Sequence, residues 1–321
     1  MESRSSNLRL QTSNKNKDYL FFKASDGQLI PFKISGEGKP LVLVHGLGGD
    51  LRNWDKVIPK LEKSRTVLRF DQRGHGKSKS FKDITIRRTV QDIEELTKFA
   101  FGDEKFALGG HSMGGITTLN YIKDNGCKRL TSAILIDTTP CIFSDSTWDL
   151  GLYHGEYTRG DWERDMQIIK TKFISFYAYF LYRVMTQYNE KKPPISYDEF
   201  YGIAKAVDAR TKLKIARIAE PIKKLASTPS GQLKEVLQIY WQASSEYDTR
   251  KTLPKINVPT LIIYASPGSL FAPKLAKWMG EQIKKAPVSL QEIPNSSHLI
   301  IPLKAGAVGE KIATFLNASR A

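Results

Sequence analysis

The sequence predicts an α/β protein: a mostly parallel central sheet flanked by helices, with an inserted helical cap. Three observations carry that prediction. Short apolar runs near residues 41, 66, 106, 132, 259 and 288 alternate with helical stretches near 52–62, 87–100, 113–124, 271–285 and 303–317. Alternation of this kind builds a parallel sheet covered on both faces. The pattern stops between about Cys141 and Ser245, where no convincing strand occurs. The residues best suited to chemistry fall directly after strands, where open parallel sheets place their sites.

The chain opens with Tyr19-Leu20-Phe21-Phe22 and Leu29-Ile30-Pro31-Phe32 around the turn signal Asp26-Gly27, which predicts an antiparallel hairpin. Leu41-Val42-Leu43-Val44 is a fully apolar strand running into His45-Gly46-Leu47-Gly48-Gly49. Val67-Leu68-Arg69-Phe70 is a second strand, followed by Asp71-Gln72-Arg73-Gly74-His75-Gly76-Lys77-Ser78. Phe106-Ala107-Leu108 runs into Gly110-His111-Ser112-Met113-Gly114, and Ile116, Leu119 and Tyr121-Ile122 follow with helical spacing. That is a G-x-S-x-G pattern between a strand and a helix, which sets Ser112 on a sharp turn as a nucleophile. Glycines at 110 and 114 suit it because a Cβ would obstruct the close backbone approach.

Together these segments resemble the α/β-hydrolase family, over most of the chain outside the insertion. The resemblance implies that 45–49 is the oxyanion-hole loop, whose Leu47 N–H would act beside that of Met113 on a developing oxyanion. It implies that 71–78 is the family's D-x-R-G-x-G-x-S turn, with Asp71 and Arg73 tying loops together. Pro294-Asn295-Ser296-Ser297-His298, after the strand 288–293, resembles the loop of the catalytic histidine. Elimination agrees: His45, His75 and His111 belong to other motifs, and His154 has no strand-end context. His298 is therefore expected as general acid and base.

The triad acid departs from the family's common pattern. Strand 259–264 leads into Ala265-Ser266-Pro267-Gly268-Ser269, with Gly268 or Ser269 where a carboxylate would stand. Between Pro259 and His298 the only acids are Glu281, midway along a helix, and Glu292, inside a strand. The fold's second home for the acid lies after the strand that follows the nucleophile helix, here Ser132–Ile136, and its next residue is Asp137. Asp137 is the candidate acid. The other reading is a Ser112–His298 pair oriented by a neutral group, such as Ser269 or a backbone carbonyl.

Residues 1–17 read as a polar tail lacking a signal peptide's apolar stretch, residues 18–140 and 246–321 as the core, and 141–245 as the cap. The longest uncharged run in the insertion, 173–182, is too short to cross a bilayer. With only Cys127 and Cys141, both read as free thiols, a cytoplasmic location is the default expectation. No metal motif is present and no cofactor is expected. Phe173, Phe176, Tyr177, Tyr179, Phe180, Tyr182 and Tyr188 form an aromatic group assigned to one helix, either packing the cap or lining an apolar acyl pocket. The net charge is +16. Lys205–Lys224 reads as a basic amphipathic helix, either a solvated face or a contact for anionic lipid or substrate. No nucleic-acid recognition module is evident.

These residues lead to the expectation of a serine hydrolase acting on a small to medium apolar carboxylic ester, lactone or thioester. The alternatives are a cofactor-free C–C bond hydrolase on the same scaffold, and a ligand-binding or receptor-like protein with residual hydrolysis.

Overall fold

The computed structural model describes residues 19–78, 83–200, 230–245 and 247–318. The basic segment Lys205–Lys224 and the 1–17 tail lie outside them. Eight strands form one sheet: β1 (Leu20–Lys23), β2 (Leu29–Ser35), β3 (Lys39–Val44), β4 (Arg65–Phe70), β5 (Phe106–His111), β6 (Leu130–Ile136), β7 (Thr260–Pro267) and β8 (Val288–Ser296). Their spatial order is β1-β2-β4-β3-β5-β6-β7-β8. The β1–β2 and β2–β4 pairs are antiparallel, and every other pair is parallel. The expected hairpin forms, with Gly27 at φ 85° in its turn.

The apolar runs are explained by burial on both faces. Leu41, Leu43, Ile134, Ile136, Leu261 and Ile263 point to one side, against Trp54, Leu61 and the helix α7 (Ile300–Ala318). Their neighbours Val42, Val44, Ala133, Leu135 and Ile262 point to the other, against α2 (Ile86–Phe101) and α3 (Met113–Asn125). A strand with two buried faces has no polar side to show, so its sequence does not alternate.

Some boundaries differ from the sequence reading. The stretch 52–62 is two pieces, a 3₁₀ turn at Leu51–Trp54 and a short α1 at Ile58–Leu61. Pro59 accounts for the break, since it lacks an N–H and is tolerated only in a helix's first turn. By the same rule Pro273 opens α6 (Pro273–Gln282), two residues later than the pattern suggests.

Between β6 and β7 the described residues form helices and loops, with no named strand. The main helices are α4 (Arg159–Met185) and α5 (Ser230–Ser245). Phe176 and Phe180 of α4 both meet the Trp241 ring of α5 edge-on, at 5.5 and 5.4 Å. Tyr179 and Tyr182 pack on Phe200. These four rings therefore serve packing. Tyr188 does not belong to their helix, which ends at Met185; it stacks on His154 at 3.9 Å instead. The stems of the insertion are tied together, with Tyr247 Oη donating to Thr139 O (2.9 Å) and Thr249 N to Pro140 O (2.8 Å).

Candidate active site

Strand register brings the expected residues together. His111 pairs with Ile136, so Ser112 and Asp137 leave β5 and β6 at the same level. Val44 pairs with Gly110, which sets the loop after β3 beside the turn at Ser112. Ser112 has φ 55° and ψ −120°, a left-handed backbone held by its neighbours. A Cβ on Gly110 would collide with the Gly114 carbonyl, and one on Gly114 with the Val44 carbonyl. The two glycines let helix α3 start directly over β3 and β5. Met113 opens α3, so its N–H lies in the first turn, where no intrahelical carbonyl is available to it.

Ser112, His298 and Asp137 form a continuous hydrogen-bonded chain. The Ser112 hydroxyl donates to His298 Nε2 at 2.8 Å, and His298 Nδ1–H donates to Asp137 Oδ2 at 2.6 Å. The ring's tautomer follows from these partners. His298 and Asp137 are both buried. The second oxygen, Asp137 Oδ1, accepts from Ala265 N–H (3.2 Å), and Asp137 N–H donates to Ile263 O (2.8 Å). The carboxyl group is thus built into the β6–β7 seam. Asp137, at φ 41°, also adopts a left-handed backbone to turn its side chain toward the imidazole.

His45, His75 and His111 are structural supports, each buried and neutral. His75 Nε2 accepts from Gly48 N–H (3.0 Å) while its Nδ1–H donates to Arg73 O (3.0 Å), so the 71–78 loop holds the 45–49 loop. Burial, with His45 beside it, pushes His75 down to about 3. His45 Nε2 accepts from Gln72 N–H (3.1 Å), and burial pushes that ring down to about 4. His111 Nε2–H donates to His298 O (3.1 Å); burial and then the neighbouring His298 push it down to about 3. Sequence reasoning placed these residues in motifs but not these partners.

Asp71 and Arg73 tie loops together as expected. Asp71 accepts from Leu51 N–H (2.9 Å) and Lys77 N–H (2.8 Å). Arg73, fully buried, makes paired bonds to Asp92 (2.7 and 2.8 Å) and to Asp26 (2.6 and 3.0 Å). Ser269, in the family's usual acid position, does not face the imidazole. It accepts from the backbone N–H of His298 (2.8 Å) and donates to Val184 O (2.8 Å).

An open cleft of about 850 Å³ lies along α2 and α3, lined by Arg88, Glu94, Asn120 and Lys123 among others, and includes none of the three chained residues. Volume therefore does not locate the site, and hydrogen-bond geometry does. Among the described residues no group of His, Cys, Asp and Glu could hold a metal ion, and no helix is long and apolar enough to cross a membrane.

An eight-stranded sheet of this order, with a serine on a strained turn between β5 and α3, defines the α/β-hydrolase fold. The chain has that fold, and residues 39–167 match the family model described as alpha/beta hydrolase fold. It is 45% identical over 112 residues to the dihydrolipoyllysine-residue acetyltransferase component of an acetoin cleaving system from Pseudomonas putida, covering 33% of this chain and 28% of that protein. It is 32% identical over 115 residues to a pimeloyl-[acyl-carrier protein] methyl ester esterase from Legionella pneumophila, covering 35% and 44%. The matches to these curated relatives thus span less than half of their length. Among solved structures, the enol-lactonase from Burkholderia xenovorans superposes with a TM-score of 0.67 at 23% identity, over 92% of this chain and 99% of that one. That likeness is one of fold.

Proposed function

We propose that the protein is a serine hydrolase that cleaves a carboxylic ester, lactone or thioester of a small to medium apolar substrate through an acyl-enzyme on Ser112. The observation that carries the reading is the chain from Ser112 Oγ through the His298 ring to Asp137 Oδ2, at 2.8 and 2.6 Å. As Ser112 Oγ adds to the carbonyl carbon, its proton passes to His298 Nε2 and the carbonyl π electrons move onto oxygen. The Leu47 and Met113 N–H groups are the donors for that oxyanion. Asp137 holds the imidazole's orientation and compensates the charge of the imidazolium. Collapse of the intermediate breaks the bond to the leaving group, which takes the proton from Nε2. Water then repeats the sequence on the acyl-enzyme and restores Ser112.

Relatives whose names specify ester and lactone chemistry favour this reading. The chemistry needs no cofactor, and a cytoplasmic location belongs to the same reading. Hydrolysis of a p-nitrophenyl ester series of increasing acyl length tests it. Wild-type turnover that falls by on the order of 10⁶ in Ser112→Ala and His298→Ala supports it. A wild type that turns over none of the series, or a folded Ser112→Ala variant that retains the rate, would sink it.

A further inference from the structure

The loop after β7, which carries no carboxylate, joins the helical insertion to His298 at one atom. Ser269 is fully buried. Its hydroxyl has a single proton, and the two partners fix where that proton points. Val184 O can only accept, so Ser269 Oγ–H donates to it; His298 N–H can only donate, so Ser269 Oγ accepts from it. Val184 lies in the last turn of α4, where carbonyls have no partner within the helix, and Ser269 supplies one. Two more bonds tie the same loop to the insertion: Tyr188 N–H to Gly268 O (2.8 Å) and His154 N–H to Leu270 O (3.3 Å).

The rest of His298 is held from the sheet side. Its carbonyl accepts from His111, its Nδ1–H donates to Asp137, and its Nε2 accepts from Ser112. Of its hydrogen bonds only that of the backbone N–H comes from the loop tied to the insertion, whose Phe271 ring also meets the imidazole edge-on at 5.6 Å. The row His298 N–H, Ser269 O–H, Val184 C=O points one way throughout, so each bond polarises the next.

We infer that Ser269 is a positioning residue that couples the helical insertion to His298, setting where the imidazole stands between Ser112 and Asp137. This rests on the serine-hydrolase reading for its consequence in rate, but not for its geometry. Movement at the end of α4 shifts the acceptor that holds His298 N–H, so occupancy beneath the insertion is communicated to the base. An ångström of misplacement at a reacting group can cost about 10² in rate, so losing this bond should slow nucleophile activation by about tenfold or more.

The test compares wild type, Ser269→Ala and Ser269→Thr by two readouts: the low-field proton resonance of His298 Nδ1–H, and the rate at which a fluorophosphonate labels Ser112. Ser269→Ala should broaden or shift the resonance and slow labelling about tenfold or more, with the reagent's apparent affinity unchanged; Ser269→Thr, which keeps the hydroxyl, should restore both. An unmoved resonance with wild-type labelling in Ser269→Ala overturns the inference. Should the variants not fold, amide exchange in the wild type carries the test. Slow exchange at His298 N–H is expected, and exchange as fast as at exposed Asn295 overturns the inference. If the wild type is not labelled while its resonance still responds to Ser269→Ala, the hydrolase reading fails and the positioning role stands.

Discussion

The loops 71–78 and 268–271 leave parallel strands at the same end of the sheet, and each holds a neighbouring loop by accepting one backbone N–H. His75 accepts from Gly48 in the first, and Ser269 from His298 in the second. The first loop is braced by charge: Asp71 spans two backbone N–H groups and Arg73 is sandwiched between Asp92 and Asp26. The second is braced by a neutral hydroxyl and backbone bonds to the insertion. A charge-braced loop is rigid but intolerant of losing a partner, because the remaining ion is left buried. A hydroxyl-braced loop gives way at smaller cost and can follow a moving neighbour.

The largest expected effect tests whether the second loop has any acid role. With Asp137 as the one carboxylate that meets the imidazole among the described residues, Asp137→Asn should lower kcat by about 10⁴ while the fold persists. A variant within a few fold of wild type in ester assays would mean that Ser269, or a backbone group of its loop, orients His298 instead. The next effect separates the loops by stability. Arg73→Met leaves the buried Asp92, with Asp26, to Arg88 alone among the described residues and should cost about 3–5 kcal/mol in urea unfolding, whereas Ser269→Ala should cost about 1–3 kcal/mol. Equal losses would erase the contrast.

Smaller again is a dependence on pH to which the first loop contributes and the second does not. His45, His75 and His111 stay neutral when folded, down to about 4, 3 and 3, against an ordinary value of 6.5. As pH falls from 6.5 toward 4 the unfolded chain takes up protons that the folded one refuses, so their stabilisation is full above pH 6.5 and is lost on acidification. Asp71 and Asp165 act in the opposite sense, since burial pushes both up to about 6 and the folded protein keeps protons there that the unfolded chain releases between about pH 4 and 6. Burial also pushes His154 down to about 4 and raises Asp92, so four histidines stand against three aspartates and the balance is a net loss of stability on acidification. His75→Phe should flatten this slope in unfolding titrations at pH 7, 6 and 5, and Ser269→Ala should leave it unchanged.

The same contrast decides what could be read from sequence. Ser112 was legible because its strand, two glycines and helix lie within a dozen residues, and the steric need for each glycine is local. His298 followed from its strand-end setting and from elimination. Asp137 was found only because the usual position offered no carboxylate, and the β5–β6 register that brings it level with Ser112 is not written in either strand alone. The second-layer bonds were illegible. His75 reaches 27 residues to Gly48, Ser269 reaches 29 to His298, and His111 reaches 187 to the His298 carbonyl. No local period encodes such distances, and Ser269 carries no charge to draw attention. Proline chemistry, in contrast, was local yet underweighted, at Pro59 and Pro273.

The way Asp137 is seated has a bearing on how the protein fails when warmed. Ser112 and Asp137 stand at the ends of adjoining strands, with Ser112 N–H bonded to Ile136 O and Asp137 bonded at both its amide and Oδ1 to β7. Their spacing belongs to the sheet and persists until the sheet melts. The imidazole stands on the short connection between β8 and α7 and depends on bonds to three separate elements. On gentle heating, the proposed turnover should decline reversibly before far-ultraviolet circular dichroism changes, because His298 departs from two partners that have not yet moved.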